Sequence, residues 1–248
     1  MRHFQCAALT AVAVFSFASM ASAADLPVKT PGPVVAPVHS WTGFYGGVSG
    51  GWAGGTLGWT YQNPVPATIP PFSGNNDNWI FGGHLGFQYQ WNQIVLGVEA
   101  GVNALGNNWA SGVILPLPTA SQVKVSSIDT VGGRLGWAWN NWLFYGDGGW
   151  ARGSVQTQLS PSVGSPFDMT SQNQDGWYAG GGAEYMLIKG SAVDVIVGLE
   201  YQHIDLGSAS TRSSLDGFQS SPPGINGRNI DAKEDIVRGR LSLKWNPF

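Results

Sequence analysis

From Trp41 onward, apolar and polar residues alternate with a period of two, the signature of strands with two unlike faces. In "IVLGVEAGVN" (94–103) one face carries Ile94, Leu96, Val98, Ala100 and Val102, and the other Gly97, Glu99, Gly101 and Asn103. "AVDVIVGLEYQ" (192–202) repeats the arrangement. So does the segment in which Val237, Gly239, Leu241, Leu243 and Trp245 alternate with Arg238, Arg240, Ser242, Lys244 and Asn246. Comparable stretches lie at about 41–53, 78–90, 125–139, 142–152 and 176–187, which predicts eight strands and no helix in this part of the chain.

The connections alternate as regularly. Trp91-Asn92-Gln93, Asn140-Asn141 and Ile188-Lys189-Gly190-Ser191 read as tight hairpin links. Links rich in Pro, Ser, Asn and Gly lie between them, at roughly 54–77, 104–124, 153–175 and 207–234. Small turns therefore gather at one end of the fold and four long loops at the other. The pattern predicts an all-β protein, an eight-stranded antiparallel up-and-down barrel in which the last strand pairs with the first.

Alternation does not say which face meets water, because a soluble lipocalin-type barrel also has period two, with its apolar face inside. Composition decides. Charged residues make up 11% of the chain, against about 25% in ordinary soluble domains, and the polar faces are mostly Gly, Ser, Asn and Gln. Tryptophans collect at strand ends: Trp41, Trp91, Trp139, Trp142 and Trp245 near the short turns, Trp52, Trp79, Trp150 and Trp177 near the long links. With tilted strands of about ten residues, these form two girdles about 25 Å apart, as in a barrel that crosses a bilayer. Trp59 and Trp109 fall in the links and read as ordinary packing residues.

Residues 1–23 have a short basic start, an apolar run including Ala11 to Phe17, and the small-x-small sequence Ala21-Ser22-Ala23. They predict a signal peptide cleaved after Ala23, hence export. The lone Cys6 leaves with it, which excludes disulfide and thiol chemistry in the mature chain. Residues 24–40, with four prolines in "ADLPVKTPGPVVAPVHS", predict an extended periplasmic linker, leaving 41–248 as the barrel domain. The formal net charge of −3 argues against nucleic acid as a partner.

The chain resembles the porin-like, eight-stranded outer-membrane proteins of alphaproteobacteria, the group of 25/31-kilodalton outer-membrane proteins. The resemblance rests on the "ADLPVK" linker, "WTGFYGG" (41–47), "GGHLGFQYQ" (82–90), "GRLGWAW" (133–139), "WLFYGDGGWA" (142–151), "GWYAGGGAEY" (176–185), "VGLEYQHIDLG" (197–207) and a terminal phenylalanine. It implies a Gram-negative outer membrane, contact with outer-membrane lipid and lipopolysaccharide, and handling by periplasmic chaperones and the barrel-assembly machinery, with Phe248 as the assembly signal. Peptidoglycan and homo-oligomer contacts are further partners of this kind. One departure stands out: Phe248 shares parity with Lys244 and Asn246 rather than with the apolar face, unless Pro247 restores the phase.

The chemistry on offer is thin. Gly47-Val48-Ser49-Gly50-Gly51 matches G-x-S-x-G formally, but a nucleophile elbow needs a strand–turn–helix and this stretch reads as glycine-rich strand. His39, His84 and His203 lack metal-ligand spacing, and neither a metal nor a cofactor is expected. His203 with Asp205 and Ser208 reads as a solvated strand end, and His84 as a network donor inside the barrel. The salient group is the set of charges on the polar face: Glu99, Arg134, Asp147, Glu184, Asp194, Glu200, Arg238, Arg240 and Lys244. An eight-stranded interior has room for side chains only, so these charges must pair. A two-residue turn at Asn140-Asn141 sets Arg134 opposite Asp147 and suggests an ion pair there.

The function expected is therefore structural, a surface-displaying envelope barrel with a lumen plugged by salt bridges, and not an enzyme. A narrow passive porin for small solutes is the alternative that the family resemblance implies, as is loop-mediated capture of a haem-like ligand.

Overall fold

The computed structural model describes residues 40–61, 72–114, 119–160, 168–212 and 227–246. The expected signal peptide, nearly all of the linker and the terminal Phe248 lie outside these residues. The strands are β1 (Gly43–Tyr61), β2 (Phe72–Trp91), β3 (Ile94–Leu105), β4 (Ala110–Ile114), β5 (Thr119–Trp139), β6 (Trp142–Ser160), β7 (Asp168–Ile188), β8 (Val193–Arg212) and β9 (Gly227–Trp245). All pairings are antiparallel. The order β3-β2-β1-β9-β8-β7-β6-β5 closes on itself through a β3–β5 ladder, giving an eight-membered ring. β4 continues the ring position of β3 after a break at 106–109 and pairs with β5 alone. β1 and β9 join from Phe44↔Trp245 to Tyr61↔Arg228.

The short turns are as tight as their sequences suggest. Asn92 (φ 54°) and Asn140 (φ 55°) occupy the left-handed region, which asparagine tolerates better than most residues. The β5–β6 register sets Trp139 against Trp142 and Arg134 against Asp147.

At the other end the strands run far beyond the boundaries expected from sequence. Most of 54–77, 104–124, 153–175 and 207–234 is strand, and only 62–71, 115–118, 161–167 and 213–226 lie between described segments. The reason is a change of polarity along each strand. In the middle band the outward residues are apolar, such as Leu85, Val98, Leu135 and Leu199, while polar groups point inward. Beyond Trp52, Trp79, Trp150 and Trp177 the sense reverses. Leu57, Val123, Ile128, Val155, Ile204 and Ile230 are buried inside, whereas Asp129, Arg152, Asp175 and Lys233 stand outside. The band suits hydrocarbon and the extension suits water, with one continuous ladder serving both.

Candidate functional site

The inward side chains of the middle band fill the barrel. Arg240 on β9 is the hub: it lies 2.6 Å from Glu99, 3.4 Å from Glu184 and 2.6 Å from Glu200. Arg238, one inward step along, pairs with Glu200 at 3.1 Å and donates to Asn103 Oδ1 (2.8 Å) and Gln202 Oε1 (3.1 Å). Arg134 pairs with Glu184 at 3.0 Å and with Glu99 at 3.5 Å. Its guanidinium carbon lies 3.9 Å from the Tyr145 ring centre and 5.3 Å from that of Tyr45. Near the short turns, Lys244 and Asp194 pair at 3.0 Å, both fully buried. Lys244 also donates to Asn246, which bonds Asp194 and the Gly190 carbonyl and so ties the end of β9 to the β7–β8 turn.

Arg134 does not pair with Asp147, although the register sets them opposite. Its stem leans over Gly97 on β3, where a Cβ would stand 3.1 Å from its Cγ, and its guanidinium is held by Glu99, Glu184 and the Tyr145 ring instead. Asp147 accepts instead from Gln202 Nε2 at 2.7 Å. These two residues lie on strands that are not neighbours, with Gly180 of β7 between them in both ladders. The same device recurs. Across Gly86, Tyr45 donates to Glu99 at 2.8 Å, and across Gly47, His84 Nε2 meets Ser242 Oγ at 2.8 Å. An inward glycine removes one side chain from the wall, and the residues on either side close over it. A double-mutant cycle of Arg134→Ala with Glu184→Ala should therefore show strong coupling in unfolding free energy. The cycle with Asp147→Ala should stay below about 0.5 kcal/mol, the usual error of additivity. Equal coupling in both cycles would contradict this wiring.

Two apolar layers cap the charges. At the short-turn end Trp41, Val95, Ala138, Leu143, Tyr145, Met186 and Ile196 form one cluster, and beyond the upper tryptophans Leu57, Val123, Ile128, Val155, Ile204 and Ile230 belong to the other. Trp41 corrects the expectation that placed it in the outer girdle: its exposure is 0%, and its amide donates to Gln90 Oε1 at 2.7 Å. The remaining expected girdle tryptophans are 41–68% exposed on the outer wall. Trp52↔Trp79 and Trp150↔Trp177 are cross-strand neighbours at one height, Trp139↔Trp142 at the other. Trp137, 55% exposed, joins the lower group.

The minor candidates hold no catalytic arrangement. Ser49 is buried inside β1 with no helix after it. His203 faces Asp235 (2.8 Å), which also accepts from Tyr201 (2.7 Å), whereas Asp205 pairs with Lys233 at 3.0 Å. Among the described residues no group of three or more His, Cys, Asp or Glu side chains could hold a metal ion.

The family described as the outer membrane protein beta-barrel domain matches residues 8–232. The chain belongs to that family. It is 32% identical over 207 residues to the 31 kDa outer-membrane immunogenic protein of Brucella melitensis, a match covering 77% of this chain and 83% of the relative. The 25 kDa outer-membrane immunogenic protein of Brucella abortus is 29% identical over 228 residues, with 87% and 94% covered. Among solved structures, Ail, the attachment invasion locus protein of Yersinia pestis, aligns over 81% of this chain and 99% of its own at 12% identity and a TM-score of 0.36.

The protein is thus an outer-membrane β-barrel. Sequence reasoning missed several members of the outer-membrane barrel's interior. Tyr45, Tyr145 and Gln202 are uncharged, yet each bridges or stacks on a charged partner. Their inward parity was the available signal. Glu234 went unnoticed because it falls in a stretch that reads as loop.

Proposed function

We propose that this outer-membrane barrel is closed to solutes and serves a structural and surface-presenting role in the cell envelope. The observation that carries this reading is the filling of the lumen in series: an apolar layer at the periplasmic end, an ion-paired layer at mid-height, and an apolar layer outside. A solute would have to breach all three. An ion would additionally break pairs whose members become uncompensated buried charges, at about 3–5 kcal/mol for each broken pair. The extracellular extension acts as a stiff pedestal that rises beyond the lipid-facing band. The names of the Brucella relatives, outer-membrane immunogenic proteins, accord with display at the cell surface. In this reading the outer wall contacts membrane lipid and lipopolysaccharide, and Phe248 is read by the barrel-assembly machinery after export. No reaction is assigned to the barrel.

Planar-bilayer recording tests the reading. The purified protein should give no stable conductance beyond rare, small events. Regular openings of nanosiemens size would overturn the closed-lumen reading and favour a porin.

A further inference from the structure

Among the described residues, the extracellular half of the barrel has a gap in its ring. Above Ile80↔Leu105, β2 pairs only with β1, and β4 pairs only with β5. Among the described residues no ladder joins Phe72–Trp79 to Ala110–Ile114. At its base the gap is bridged by the Gly106 amide to the Trp79 carbonyl (2.9 Å), the Asn108 amide to Asn78 Oδ1 (3.0 Å) and Asn108 Nδ2 to the Asp77 carbonyl (2.6 Å).

Behind this seam lies the one carboxyl group of the described upper core. Glu234 is 1% exposed, and neither of its oxygens has a hydrogen-bond partner in the protein. It sits beside Gly55, where a Cβ would come within 2.5 Å of its Cδ. On the far side of Gly55 is Asn76, on the unpaired edge of β2, 2% exposed and with its own Nδ2 unpartnered. The surrounding inward residues are Leu57, Ile204, Ala232 and Ile236. Among the described residues no cation faces Glu234 from inside. Asp77 on β2 and Asp235 on its own strand stand outward nearby, as do His203 and Asp205 on β8 and Lys233 on β9, and the last three are engaged with Asp235 or with each other.

A carboxyl group so placed is tolerable only when protonated, since an ionised one would be desolvated without compensation. We propose that Glu234 is a proton-operated latch on the β2–β4 seam: protonated, it lets the extracellular half stay shut, and its ionisation drives that half to open between Phe72–Trp79 and Ala110–Ile114. The seam is the outlet because water reaches Glu234 there without breaking a ladder, whereas both neighbours of β9 pair with it around Glu234, β1 without a break and β8 with one irregularity between Asp205 and Ser208. Burial, reinforced by Asp235 and Asp77, lifts the carboxyl from its ordinary 4.5 to about 8. The sign follows: the closed form holds the proton more tightly than the open one. Its advantage is complete below the ordinary value and is lost as pH rises toward about 8.

Hydrogen exchange on the wild-type barrel in lipid, corrected for intrinsic rates, tests this. Protection of Phe72–Asn78 and Ala110–Ile114 should fall about tenfold per pH unit between pH 5 and 8 and level off above, while β1, β8 and β9 change little. Glu234→Gln should abolish the slope. Asp77→Asn should end it at lower pH. An infrared titration of the wild type, following loss of the protonated-carboxyl band, should give a midpoint near 8 and does not depend on any variant folding. A slope that survives in Glu234→Gln, a carboxyl already ionised at pH 6, or pH-dependent exchange spread evenly around the ring would each overturn the proposal.

Discussion

Replacing Arg240 by methionine is expected to lower the unfolding free energy of the barrel by about 3–5 kcal/mol, the cost of breaking a buried ion pair from one side. Arg240 is the position where that cost should be greatest, because one guanidinium serves Glu99, Glu184 and Glu200. Arg134 still reaches Glu99 and Glu184, and Arg238 reaches Glu200, but two guanidiniums are then left to balance three carboxylates. The variant keeps the volume of the side chain, so the loss reports charge rather than a void. Neutralising one acid in the same background, with Glu99→Gln, should recover most of it, since Arg134–Glu184 and Arg238–Glu200 then remain as matched pairs with no stranded charge. Urea titration of the protein in lipid vesicles reads both outcomes. A loss below about 1 kcal/mol would mean that water solvates these charges singly and that the ion-paired layer is not a cohesive element.

The second large effect is expected at Trp41. As a girdle residue it would lie half in the interface and tolerate truncation. As the fully buried stopper of the short-turn end, its replacement by alanine should cost about 3–5 kcal/mol, in the range for large aromatic side chains removed from a core. Trp245→Ala, at the same end but 48% exposed, should cost much less. The comparison decides between inside and outside without a new structure. If the two variants proved equal, Trp41 would be an interfacial residue.

Trp41 also shows what the sequence held and how it was misread. Its parity is that of Tyr45 and Ser49, which point inward, and opposite to that of Trp52, which points out. Counting tryptophans at strand ends hid a phase difference within one strand. Elsewhere phase was enough. The inward positions of Glu99, Arg134, Glu200 and Arg240, the ring closure and the Asn140 hairpin all follow from period two and turn chemistry. The extension was invisible for a physical reason. Where a strand leaves lipid for water its pattern inverts, so a segment such as 227–236, with Ile230, Ala232 and Ile236 inside, loses the outward apolar residues that mark a membrane strand. The partners of Arg134 were hidden for another reason. Hairpin register gives the neighbour across one ladder, whereas a long side chain leaning over a glycine finds its partner elsewhere.

The glycines that separate interacting side chains change the distance over which this wall carries information. In an ordinary sheet the natural unit of correlated change is a cross-strand pair. Here it is a triplet: His84 and Ser242 communicate only while Gly47 is empty, as do Asp147 and Gln202 over Gly180. Drift at the middle position would cut the outer two apart, and drift at either outer position would leave the middle free to grow a side chain. Among related chains, residues two strands apart should therefore vary together, and the glycine between them should survive only where both of its neighbours do.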